Sequence, residues 1–303
     1  MRKAYQAALH GVACGVFWGI RLLAFLVGKQ RLLRWVQKSD TVMWVHPLIR
    51  KLLRKHRDYL GQNLKKVFPD QPEQFYTGVT HDVYRNMLTT GIESVTLSDT
   101  AFQHTQVTGL EAVQKLAATR RILFVSCHIN NWEICRTNLL KLDFPIVSFY
   151  RDYSQQLFNH RRYNHKNRFG PSIPTHQTSR YIQALEDGQH GFMMMDIKVK
   201  KGRNGKKLPF CKLPAWTSLF AADMASQHNM VIVPVHLERQ PDAPGHYQQI
   251  FGDPILATGT DTGTGTSQAT LNQTTAAIND YFSAVITRNP ASWLLWDTNR
   301  WGP

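Results

Sequence analysis

Acidic residues are scarce in this chain, with 21 Asp+Glu against 36 Lys+Arg and a formal net charge of +15. An imbalance of that size implies an anionic partner: nucleic acid, anionic lipid or an acidic protein. Zinc-finger spacing, an RNP motif and a helix-turn-helix signature are all missing, which makes nucleic acid the poorest of the three. Cysteine is sparse too. Cys14, Cys127, Cys135 and Cys211 show neither C-x2-C pairing nor a framework spacing, so they read as buried thiols of a reducing cytoplasm. No ligand cluster calls for a metal or another cofactor. A G-x-S-x-G elbow is absent, and so is a Walker motif, because the glycines and lysines near residue 200 have the wrong spacing. Hydrophobic residues make up 43% of the chain, an ordinary share that excludes both a polytopic membrane protein and a disordered one.

Long apolar runs are few, and one stands out. Gly11–Val27 carries Phe17, Trp18, Leu22, Leu23, Phe25 and Leu26 and is interrupted only by Arg21. It has no clear small-residue cleavage site after an unbroken core, so it reads as a membrane anchor and not as a removed signal. Two geometries fit: a spanning helix with Arg21 snorkelling, or a helix lying in the interface. The residues that follow, to Val67, are basic with helical periodicity, as expected for contacts to an anionic cytoplasmic leaflet. The expected organisation is an anchor over residues 1–28 and a single α/β domain over 29–303, whose 29–100 portion is helical and membrane-facing.

From Val107 onward the hydrophobic period alternates between two and 3.6 residues. Strands are expected at Ile122–Val125, Pro145–Tyr150, Phe192–Asp196 and Val231–Leu237. Helices are expected near Asn131–Lys141, Ser154–Arg168, Ser179–Asp187, Thr217–His228 and Gln268–Arg288, with a Thr/Gly-rich surface loop at Gly259–Gly265. The fold class implied is α/β, a mostly parallel central sheet flanked by helices.

The stretch most suggestive of chemistry is Arg121 to Arg136. A buried strand gives way to polar residues at Ser126, and a helix follows from about Asn131, the kind of junction at which open α/β sheets place their sites. His128 and Glu133 stand there. Histidine exchanges a proton near neutral pH, and a carboxylate beside it can hold one tautomer and stabilise the imidazolium. Cys127 adjoins the base but lacks an activation signature and reads as packing. Arg151, at the end of the next strand, suits a phosphate or a developing oxyanion. Asp196 ends a further strand on the same edge and is placed either to orient Arg151, to bind the acceptor, or to serve structure. Two basic runs follow these strands: Arg161, Arg162, Lys166 and Arg168, then Lys198, Lys200, Lys201, Arg203, Lys206 and Lys207. They form a candidate phosphate- or carrier-binding rim.

His128-Ile-Asn-Asn-Trp-Glu133 resembles the H-F-G-N-W-E block of the bacterial lipid A biosynthesis acyltransferases, the late acyltransferases related to the lysophospholipid and glycerophosphate acyltransferases. Further blocks follow in order. Asn63-Leu64 with Val67 to Asp70 is similar to N-L-x-x-x-F-P-E, and Phe149-Tyr150-Arg151 to V-Y-R. Gly188 with Phe192 to Asp196 is similar to G-x-x-V-x-x-x-x-D. Pro209-Phe210 with Pro214-Ala215 resembles P-F-F-G-x-P-A, and Pro290 to Trp296 resembles P-E-Q-W-L-W. There are departures: Asn130 replaces a glycine, Ile197 a polar residue, and the ending Trp296 to Trp301 keeps Arg300 but loses a histidine.

The resemblance implies a membrane-bound O-acyltransferase of the bacterial inner membrane, with its catalytic domain on the cytoplasmic face. The donor would be an acyl carrier protein thioester and the acceptor a hydroxyl of a phosphorylated lipid A precursor. His128 would act as base with Glu133 orienting it; Arg151, Asp196, Lys200 and Lys201 would bind substrate. Another glycolipid or phospholipid acceptor, or a membrane-attached lipid-binding protein without turnover, fits the residues as alternatives.

Overall fold

The computed structural model describes residues 15, 18–38, 59–96, 104–150, 170–201, 204–257 and 267–302. Residues 18–27 form a helix, followed after Gly28 by α1 (Lys29–Lys38), α2 (Tyr59–Val67) and α3 (Glu73–Val95). The α/β part then runs β1 (Thr105–Thr108), α4 (Leu110–Ala117), β2 (Ile122–Ser126), α5 (Trp132–Lys141), β3 (Ile146–Tyr150), β4 (Ser172–Pro174), α6 (Thr178–Glu186) and β5 (His190–Met194). A hairpin of β6 (Gly205–Phe210) and β7 (Leu213–Ser218) precedes α7 (Phe220–Gln227), β8 (Val231–Arg239), β9 (Tyr247–Phe251), β10 (Ile255–Leu256) and α8 (Gln268–Arg288).

The main sheet has the order β1-β9-β8-β2-β5-β3-β4, with β10 also paired to β8. Strands β8, β2, β5, β3 and β4 are mutually parallel, whereas β9 and β10 are antiparallel to β8. The β2 residues ILFVS are buried throughout, as a parallel strand covered on both faces requires. Because side chains alternate along a strand, Leu123 and Val125 join Met193, Ile232 and Phe282 on one face. Ile122 and Phe124 join Val231, Val233, Ile134 and Leu139 on the other.

The expected mostly parallel sheet is therefore present, and the four expected strands and the helices at 132–141, 178–186, 220–227 and 268–288 occur with shifted ends. One shift matters: β5 stops at Met194, so Asp196 lies beyond the strand. Strands β1, β4, β6, β7, β9 and β10 carried no clear sequence signal. In β6 two lysines and a proline mask a strand whose outer face is exposed, and in β9 two glutamines break the apolar pattern. The helix expected at Ser154–Arg168, the loop at Gly259–Gly265, Cys14, Arg151, Arg203 and the Arg161–Arg168 basic run lie outside the described residues. Cys127, Cys135 and Cys211 are buried free thiols.

A membrane-spanning anchor is not supported: among the described residues no helix is long and apolar enough to cross a bilayer. At Gly28 the backbone turns into the left-handed region (φ 89°), and α1 starts afresh. Ala24, Leu32, Leu33, Val36 and Ile92 form the small core that fastens these two helices to α3.

The chain end is held by its start. Asn63 of α2, 2% exposed, donates from Nδ2 to the carbonyls of Trp296 and Thr298, both at 2.8 Å. Trp293, Trp296 and Trp301 pack edge-to-face or tilted on one another beside Phe68 and Phe210. Asn63→Ala strands the buried Trp296 carbonyl and the partly buried Thr298 carbonyl, and we expect a loss of about 1–3 kcal/mol. The check is a lowered urea midpoint with an unchanged slope.

Candidate active site

Strands β2 and β5 are parallel neighbours with Ser126 opposite Met194, and Met195 N–H donates to the Ser126 carbonyl at 2.8 Å. Carried two residues further, this register brings His128 beside Asp196. His128 Nδ1 lies 2.8 Å from Asp196 Oδ1, while the His128 backbone N–H donates to Oδ2 at 2.7 Å. Trp293 Nε1–H donates to the same Oδ2 at 2.8 Å. The Asp196 side chain has no solvent exposure, but His128 keeps 16%. The pair is thus anchored on the buried side and open on the other.

Burial alone would raise the Asp196 pKa, but the His128 charge and the hydrogen bonds from His128 and Trp293 outweigh it and hold the carboxyl below its ordinary value. An ionised carboxylate only accepts hydrogen bonds, so the proton of a neutral imidazole resides on Nδ1 and the Nε2 lone pair is free to act. The Trp132 ring lies 4.6 Å from the imidazole at an interplanar angle of 60°, bracketing its plane. Arg300 supplies a buried positive charge behind Asp196. It bonds the Trp216 carbonyl and Thr217 Oγ1 and lies over the Phe210 ring at 4.8 Å. Burial lowers its pKa, and the Asp196 charge works in the opposite sense.

The loop between β2 and α5 is fastened by a polar network. Asn130 has φ 47°, a left-handed conformation that asparagine accepts better than any residue but glycine. It therefore adopts the backbone geometry for which the family's glycine is suited. Its Nδ2 donates to the Leu237 carbonyl at 2.7 Å, and its Oδ1 accepts from Asn86 and Arg239. Asn131 caps α5 by accepting from the Glu133 and Ile134 amides, and its Nδ2 donates to Glu93 at 3.0 Å. Glu93, fully buried, takes both Nε and Nη2 of Arg239 and the Tyr247 hydroxyl. Arg239 reaches Asn86 and Thr90 as well. Helix α3 is in this way bolted to β8, β9 and the His128 loop.

Of the residues expected to form the site, His128 and Asp196 come together. The carboxylate on the imidazole is Asp196, the position expected of Glu133. Glu133 sits in the first turn of α5, half-buried, with its charge acting on Arg136. Lys200 and Lys201 are exposed, just past Asp196, and Lys206 and Lys207 lie exposed on β6. Lys198 donates to the Gly302 carbonyl at 3.0 Å. Arg151 lies outside the described residues. Cys127 is fully buried, and burial first, then the Asp196 charge, pushes its thiol pKa well up, which keeps it protonated and inert. Trp293, Asn131, Glu93 and Arg239 were missed. Their partners are distant in sequence, and the one available signal was the P-x-x-W pattern at Pro290–Trp293.

Fold and site together describe an α/β protein with a histidine–carboxylate pair at the carboxyl edge of a parallel sheet, the arrangement of a general base open to one side. A family model described as bacterial lipid A biosynthesis acyltransferase matches residues 38–302, and the chain belongs to that family; it is an acyltransferase. Membership implies an acyl donor and a lipid acceptor. A comparison with curated proteins returned no match.

The low Asp196 pKa has a consequence for stability. A carboxyl whose folded pKa lies below its unfolded value contributes fully above the unfolded value, about 3.9, and the contribution fades as pH falls through the folded value. The urea-midpoint advantage of wild type over Asp196→Asn should therefore be present at neutral pH and narrow below about pH 4.

Proposed function

We propose that the protein transfers a fatty acyl chain from an acyl carrier protein thioester to a hydroxyl of a phosphorylated lipid A precursor. The observation that carries this reading is the His128–Asp196 pair, seated on a sheet edge in a member of the lipid A acyltransferase family. His128 Nε2 removes the acceptor hydroxyl proton as the oxygen attacks the thioester carbon. The tetrahedral oxyanion collapses with expulsion of the carrier thiolate, which takes up the proton from the imidazolium. Asp196 holds the tautomer and stabilises the transient imidazolium. Glu133 has a supporting place in the first turn of α5, where its charge acts on Arg136.

Arg151, by the V-Y-R resemblance, is proposed to hold anionic substrate or the oxyanion. The exposed Lys200, Lys201, Lys206 and Lys207 suit the acidic surface expected of a carrier protein, which favours encounter more than final affinity. A lipid acceptor requires the site to be held at a membrane. We place the protein on the cytoplasmic face of the bacterial inner membrane, residues 1–28 contributing to attachment and 29–303 forming the transferase domain.

Purified protein given acyl carrier protein thioester and lipid acceptor tests this reading. His128→Ala should lose about 10²–10⁴ in rate, the usual worth of a general base. Asp196→Asn should lose a comparable amount and be far from additive with it, whereas Glu133→Gln should cost less than tenfold if its part is supporting, an order-of-magnitude boundary below that of the base. Near wild-type turnover by His128→Ala would sink the mechanism; a large loss at Glu133 with none at Asp196 would restore Glu133 as the orienting group.

A further inference from the structure

A cleft of about 500 Å³ is lined by Gly28, Lys29, Arg31 and Arg34 from the N-terminal helices and by His104 and Gly245 from the sheet part. No carboxylate is among its described lining residues. Lys29 is drawn partly out of solvent, and burial lowers its pKa. His104 and His246 stack at 4.4 Å with a 29° interplanar angle, and the His104 carbonyl accepts from Tyr247 N–H at 3.0 Å. The wall is therefore part of the sheet's own hydrogen bonding.

Its position follows from strand direction. β1 is parallel to β9, β9 antiparallel to β8, and β8 parallel to β2. The start of β1, where His104 stands, thus lies on the same edge of the sheet as the end of β2, where His128 follows. Three strand steps, β2 to β8 to β9 to β1, separate them across the sheet, roughly 14 Å in that direction at about 4.8 Å per step.

Beside the cleft, the helix at 18–27 is apolar on the wrong side for a soluble surface. Ala24 faces the core, but Trp18, Leu22, Phe25 and Leu26 are 56%, 58%, 85% and 69% exposed. Their i, i+4, i+7, i+8 spacing makes one continuous stripe directed outward. In α1 the inward residues are Leu32, Leu33 and Val36, while Arg31, Arg34, Trp35 and Lys38 are exposed. An outward apolar stripe followed immediately by an outward basic face is complementary to an anionic bilayer surface, acyl chains meeting the first and phosphates the second.

We propose that this cleft binds the phosphate of an anionic membrane lipid, with Arg31, Arg34 and Lys29 as its cationic partners and the Trp18–Leu26 stripe seated among the acyl chains. The lipid is thereby held on the catalytic edge of the sheet. The proposal deepens the lipid-acceptor reading and is tested by binding without turnover.

Full-length protein is sedimented with phosphatidylcholine vesicles, with and without phosphatidylglycerol. Arg31→Gln with Arg34→Gln should weaken binding to the anionic vesicles by roughly thirtyfold, the worth of two cations near a charged surface. A control that removes the same charge elsewhere, Lys115→Gln with Lys212→Gln, both exposed, should retain most of it. Phe25→Ser with Leu26→Ser, both exposed, should weaken binding to anionic and neutral vesicles alike, and soluble glycerol phosphate should not displace the wild type at millimolar concentration. His128→Ala should bind vesicles as wild type does, so a failed catalytic reading leaves this result standing. Equal losses for both cation pairs, or full displacement by glycerol phosphate, would overturn the cleft as a lipid-phosphate site.

Discussion

A buried carboxylate must find its hydrogen bonds inside the protein or not be ionised at all. Asp196 has no exposure and receives the His128 amide, the His128 imidazole and the Trp293 indole. Those donors come from the end of β2 and from the chain's last segment, so satisfying one side chain fixes three distant pieces of backbone. The Ile129–Trp293 bridge and the Leu294 to His128 hydrogen bond complete the arrangement. An imidazole whose Nδ1 is committed in this way has one ring nitrogen left for chemistry, and His128 keeps 16% exposure.

The second buried charge, Glu93, does for the loop what Asp196 does for the ring. Paired with Arg239 and bonded to Asn131 and Tyr247, it joins α3 to the sheet and to the N-cap of α5. Buried pairs of this kind contribute less to net stability than their geometry suggests, but removing one partner is costly because the other is left alone. The network therefore serves position more than stability: it sets where α5 begins, and with it the turn that carries His128. Lys29 lies within the electrostatic reach of Glu93, so the cationic cleft and the His128 loop share a carboxylate as common neighbour.

Two kinds of surface meet on one edge of the sheet. At the β2 and β5 ends stands the His128–Asp196 pair; at the β1 and β9 ends the lining is cationic, next to an exposed apolar stripe. Under the proposed reading, the first would react and the second would keep a lipid headgroup from diffusing.

Periodicity and composition determined the α/β class, the buried parallel strands, the positive surface and the apolar N-terminal stretch, because each is a local or additive property of the chain. The ordered blocks from Asn63 to Trp296 pointed to the family, and His128 was legible as a candidate base from its place after an apolar strand. Which carboxylate would serve it was not. Glu133 is near in sequence, but a helix that starts at Trp132, capped by Asn131, carries it into the first turn of α5. Asp196 is 68 residues away and is delivered by strand register, since β5 inserts between β2 and β3. The roles of Asn63, Trp293 and Arg239 were hidden for the same reason: hydrogen bonds to far-off backbone leave no periodic trace. The short β6 and β9 strands were hidden because pairing, not side-chain pattern, makes them. Only the tertiary structure decided these, through the obligation of every buried polar group to find a partner.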